Sequence, residues 1–128
     1  MSARTFRLPR DFPRDARRDL ARFDALVRHI GWDGWPGRGI GSGPAWQAEM
    51  KRVKRERKQV LSSLQKAGAG VDQGRRRQAE ILLIKGWHLV FHCYGMATDS
   101  FPEGDSDDLA VRQKELQNAY LEAFEAIL

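Results

Sequence analysis

Between Arg75 and Ala97 the apolar residues leave almost no polar side: Ile81, Leu82, Leu83, Ile84, Trp87, Leu89, Val90, Phe91, Tyr94 and Met96 cover nearly every direction around a helix. A helix that is apolar all round needs cover from neighbours, so this segment predicts the buried centre of a helical bundle. Its polar stripe is thin, consisting of Arg77, Lys85, His88 and His92.

Three further segments carry helical spacing and can supply the cover. Ala16, Leu20, Phe23, Val27 and Ile30 recur at three- and four-residue steps, with Asp11 or Pro13 to start the helix and Gly31 to end it. Asp15 with Arg18, Asp19 with Arg22 and Asp24 with Arg28 are expected along its outer face. A second helix is expected from about Ala45 to Ala67, with Trp46, Met50, Val53, Val60, Leu61 and Leu64 on one apolar arc. A third runs from Arg75 to about Ala97. Ser106 then caps a fourth, whose apolar face is Leu109, Leu116, Tyr120, Ala123, Phe124 and Ile127. No strand-like alternation of β-branched residues competes with these patterns. The expectation is an all-α, four-helix antiparallel bundle over residues 11–128, preceded by a basic flexible tail at 1–10.

The first two helices are separated by a long Gly/Trp-rich loop, residues 31–44. Its glycines favour neither helix nor strand. It lacks both the Gly-Lys-Ser/Thr of a phosphate loop and the spacing of a dinucleotide fingerprint. Trp32, Trp35 and Arg38 form a candidate interaction element, the alternative being that the tryptophans fold back to plug the bundle.

Charge narrows the partner. Residues 1–78 hold 19 Lys/Arg against 8 Asp/Glu, whereas residues 79–128 hold 3 against 9, so the overall +5 hides a basic half and an acidic one. Six cations fall within eight residues at Lys51, Arg52, Lys54, Arg55, Arg57 and Lys58, relieved only by Glu56. Such a cluster is the footprint of a polyanion partner, DNA or RNA held by its backbone. Lys51, Arg52, Lys54, Arg55 and Lys58, with Arg75, Arg76 and Arg77, are the candidate phosphate-contacting residues; a solvated face balanced by the acidic fourth helix is the alternative. Arg57 lies inside the apolar arc, where a charge needs a partner, and Glu80, Glu115 or Glu122 are the expected ones.

Catalytic signatures are missing from the sequence, and a non-enzymatic protein without cofactor is expected. His88 and His92 have the i, i+4 spacing of a helical metal pair, but their stripe-mates Arg77 and Lys85 are cations, so no metal site is assigned. The carboxylates at Asp99, Glu103, Asp105, Asp107 and Asp108 lack the order of a calcium loop and suit capping and solvation. Cys93 is the only cysteine, which excludes an internal disulfide and points to a core thiol in a reducing cytoplasm. No stretch has the composition of a leader or a membrane span. The expected function is a nucleic-acid-backbone-binding protein, a small subunit of a nucleoprotein assembly. Its alternatives are an adaptor or inhibitor using the Trp/Gly loop and basic helix, and more remotely a histidine-based metal protein. Self-association is expected to run head to tail, through the acidic last helix.

Overall fold

A computed structural model describes residues 12–33, 43–97 and 106–128. The expected tail at 1–10, Trp35 and Arg38 of the loop, and the acidic segment 99–105 lie outside the described residues. Four α-helices account for nearly all that is described: α1 (Arg14–Arg28), α2 (Gly43–Ala67), α3 (Gln73–Ala97) and α4 (Ser106–Ile127). Among the described residues there is no strand, and no helix is long and apolar enough to cross a membrane.

The helices pack chiefly as two pairs, α1 with α2 and α3 with α4, joined by contacts of α3 with α1 and α2. The core draws on all four: Leu20, Phe23 and Val27 from α1, Trp46, Val53 and Leu64 from α2, Leu82, Leu83 and Leu89 from α3, and Tyr120 and Ile127 from α4. Burying each such large apolar side chain contributes roughly 1.5–3 kcal/mol before the entropy of ordering it. Two close approaches set the spacing. A Cβ on Gly86 would stand 2.8 Å from the Phe23 ring, and one on Gly31 would stand 2.6 Å from Leu89 Cδ2. Only a residue without a side chain lets α3 come this near to α1 and the turn after it.

That turn is a π-helix over His29–Asp33, so the helical path does not stop at Gly31 but continues past the end of α1 in a wider coil. The Gly31 carbonyl accepts hydrogen bonds from the side-chain amides of Gln113 (3.2 Å) and Gln117 (2.8 Å) of α4. Polar side chains also seal the helix ends. Asp72 Oδ2 accepts from the backbone N–H of Gly74 at 3.0 Å, capping α3. Arg76 reaches back to the carbonyls of Leu64 (2.9 Å) and Gly68 (2.7 Å), satisfying acceptors at the end of α2. Arg75 donates to the Ile127 carbonyl at 2.8 Å, tying the start of α3 to the end of α4.

Three sequence expectations change here. First, Asp19 and Asp24 are not on an outer face: both are buried. Asp19 accepts from the Ser63 hydroxyl of α2, and Asp24 accepts from the Tyr120 hydroxyl of α4 at 2.6 Å. Asp24 also keeps its expected partner Arg28, at 2.9 Å, whose guanidinium lies 4.7 Å from the Phe124 ring. A short acidic side chain at each position can reach a hydroxyl on a neighbouring helix, which offsets its desolvation. Second, Leu61 is 37% exposed, at the edge of the α2 arc rather than inside it. Third, α3 is not wholly buried: Ile81, Ile84 and Phe91 are exposed. Three neighbouring helices do not enclose a central one on every side, so α3 keeps one side open.

Candidate nucleic-acid interface

Positions 51, 54, 55 and 58 fall within about 100° of one another on a helix of 3.6 residues per turn, opposite the buried Val53, Val60 and Leu64. The fold therefore turns Lys51, Lys54, Arg55 and Lys58 to the surface, and all four are exposed. They line a strip roughly 10 Å long, at 1.5 Å of rise per residue. Among the described residues none of the four has a carboxylate within ion-pair distance. An unneutralised row of like charges repels itself, and an anion laid along it removes that repulsion.

The remaining sequence candidates separate from this strip. Arg52 sits on the side of α2 toward α1 and pairs with Glu49 at 2.8 Å, while His29 stands 3.8 Å from the other Glu49 oxygen. Arg75 and Arg76 bind the helix-end carbonyls described above, so their guanidinium groups are committed to the fold. Arg77 is exposed. Arg57 is half-buried, and its Nε has no hydrogen-bond partner among the described residues. Glu80, Glu115 and Glu122 do not meet it; Glu115 stands instead 3.8 Å from Arg112. The expected internal pair for Arg57 is therefore not formed.

Of the loop element, Trp32 packs inward. It is half-buried, with its ring centroid 6.3 Å from Tyr120 and 5.8 Å from the Arg28 guanidinium carbon. Trp46 is fully buried. The histidine pair also separates: His88 is exposed, but His92 is buried with Nε2 3.1 Å from the Leu109 carbonyl. Among the described residues no group of three or more His, Cys, Asp and Glu side chains could hold a metal ion. Cys93 is buried, its Sγ 3.3 Å from Gln113 Oε1. Burial pushes its thiol up to about 12 despite that hydrogen bond, so it is not a nucleophile near neutrality.

Sequence reasoning missed what borders the strip. Lys54 Nζ lies 5.7 Å from the Trp87 ring of α3, which leads to Phe91 (5.9 Å between centroids) and on to Tyr94 (6.5 Å). The signal was present as the spacing 84, 87, 91, 94, one face of a helix, but in a segment apolar all round it could not be told from core.

Compared with known proteins, the chain matches no family model, no curated protein and no solved structure.

Proposed function

We propose that this protein is a non-enzymatic nucleic-acid-binding helical bundle that holds phosphate backbone along α2, as a small subunit of a nucleoprotein assembly. One observation carries the reading: Lys51, Lys54, Arg55 and Lys58 share an exposed face with no carboxylate paired to them among the described residues. Four long cationic side chains on a rigid helix suit phosphate contacts, which position a strand without reading its bases. Exposed Arg77 stays in the contact set, while Arg52, Arg75 and Arg76 leave it because each already has a structural partner.

The reading takes the four helices as an antiparallel bundle. Arg75 bonded to the last turn of α4, and His92 near its first turn, support that order for the second pair. For assembly, α4 exposes Asp108, Glu115, Glu122 and Glu125 against Arg112 and Lys114, a net negative surface opposite in sign to the α2 strip of another copy. A reducing cytoplasm is the proposed location, supported by the single, buried Cys93.

The test is the affinity of mixed-sequence DNA and RNA oligonucleotides for the wild type and two variants. Lys54→Glu/Lys58→Glu should weaken binding at least about tenfold, with helical content unchanged, because two phosphate contacts become repulsions. Substituting Trp35 and Arg38 should leave it unaltered. The opposite pattern would transfer the function to the loop and make the protein an interaction module.

A further inference from the structure

The strip on α2 is not an isolated feature, because an aromatic ridge on α3 runs beside it. Phe91 is 50% exposed and Ile84 45% exposed. Trp87 and Tyr94 are half-buried on either side of Phe91, and Lys54 Nζ lies over the Trp87 ring. On the α2 side, Gln47, Met50, Lys51, Lys54, Trp87, Phe91 and Tyr94 enclose a cleft of about 250 Å³. On the α4 side, a second cleft of about 310 Å³ lies between Trp87, His88, Phe91, His92, Arg112 and Leu116. Exposed Phe91 and Ile84 with the two half-buried rings form a contiguous apolar patch, the kind of surface that marks a binding site.

We infer that the ridge Trp87–Phe91–Tyr94 is a stacking platform for unpaired bases, so that the nucleic acid held by α2 is single-stranded. The inference rests on the backbone-binding reading above and adds the ligand's strandedness to it. Two properties select this occupant. The charge bordering the rings on the α2 side is positive, from Lys51 and Lys54. An apolar protein partner would bury those ammonium groups without compensation, whereas a strand brings one phosphate with every base. The rings also stand successively along one helix, 5.9 and 6.5 Å apart, tilted by 44° and 46°. Bases splayed from a backbone can lie on such faces one after another, and every base has a face to offer, so the site tolerates any sequence. A duplex keeps its bases stacked inside and could use only the cations.

The experiment compares three ligands of equal length by fluorescence anisotropy: a single-stranded DNA, the same strand with abasic sites throughout, and the duplex. The single strand should bind best. The abasic strand, which keeps its phosphates, should bind at least about fivefold more weakly, since each stacked base accounts for a factor of that size or more. Phe91→Ala should lower single-strand affinity similarly and leave duplex affinity unchanged; its exposure means the fold survives, which circular dichroism verifies. Equal binding of intact and abasic strands would overturn the stacking platform while the backbone reading stands. No binding of any ligand at low salt would remove both. Sedimentation without nucleic acid adds a further outcome. A wild-type dimer that Phe91→Ala splits into monomers would make the ridge a contact between copies, and the inference would fail.

Discussion

Gly86 makes the fold itself testable. A Cβ placed there would lie 2.8 Å from Phe23 Cε2 and Cζ and 3.0 Å from Val27 Cγ2. Phe23 and Val27 are both fully buried, so neither has solvent to move into. Gly86→Ala thus forces α1 and α3 apart or turns the ring off its rotamer, a cost of about 1–3 kcal/mol for overpacking. Replacing glycine inside a helix returns up to about 1 kcal/mol of propensity. The net expectation is a loss of roughly 1–2 kcal/mol, or a fall of roughly 3–8 °C in Tm for a chain of this size. Urea and thermal unfolding followed by circular dichroism measure it. Phe23→Leu sharpens the test: alone it is destabilising, because it removes buried ring volume, but with Gly86→Ala present the smaller side chain makes room for the added methyl. The double variant should be more stable than the sum of the singles implies. Additive effects, or a Gly86→Ala variant more stable than the wild type, would refute the α1–α3 contact.

Two more outcomes follow from individual side chains. Arg76→Met should cost about 1–2 kcal/mol in urea unfolding, because the Leu64 and Gly68 carbonyls lose their donor, while nucleic-acid affinity stays within about twofold. Stability should also fall in alkali. The Cys93 thiol is raised from 9.0 to about 12 by burial, so its contribution is complete below pH 9 and is lost between pH 9 and 12. Burial, then the neighbouring Asp24, pushes the Tyr120 phenol well above 10.0, which adds a similar loss beyond pH 10. Each group contributes about 1.4 kcal/mol per pH unit over its range. The wild type should therefore lose about 2 kcal/mol more than Cys93→Ala between pH 9 and 10.5; parallel losses would contradict the buried thiol.

Much of the fold was legible because periodicity carries it. The helices start and end within about two residues of the expected positions, a normal uncertainty for helix ends. What sequence concealed were the long-range partners of polar groups. Asp24 read as half of a local pair with Arg28, yet its other partner, Tyr120, lies 96 positions away. Gln113 and Gln117 carry no pattern of their own, and only the widened turn at Gly31 gives them a carbonyl to bind. For the candidate site, the cationic strip followed directly from spacing on α2. Arg75 and Arg76 looked equivalent to it by charge alone, and only the neighbouring helix ends distinguish them. The aromatic ridge was hidden by the opposite ambiguity: a segment apolar on every side does not reveal which side its neighbours leave uncovered.

The most direct measurement is the salt dependence of binding to a single-stranded oligonucleotide. Each phosphate neutralised on a single strand contributes about −0.7 to the slope of log K against log salt, so four contacts give a slope near −3. Lys54→Glu/Lys58→Glu should bring that slope to about −1.4 or shallower. A wild-type slope near zero, or one that the double substitution does not change, would contradict an open phosphate-binding strip on α2.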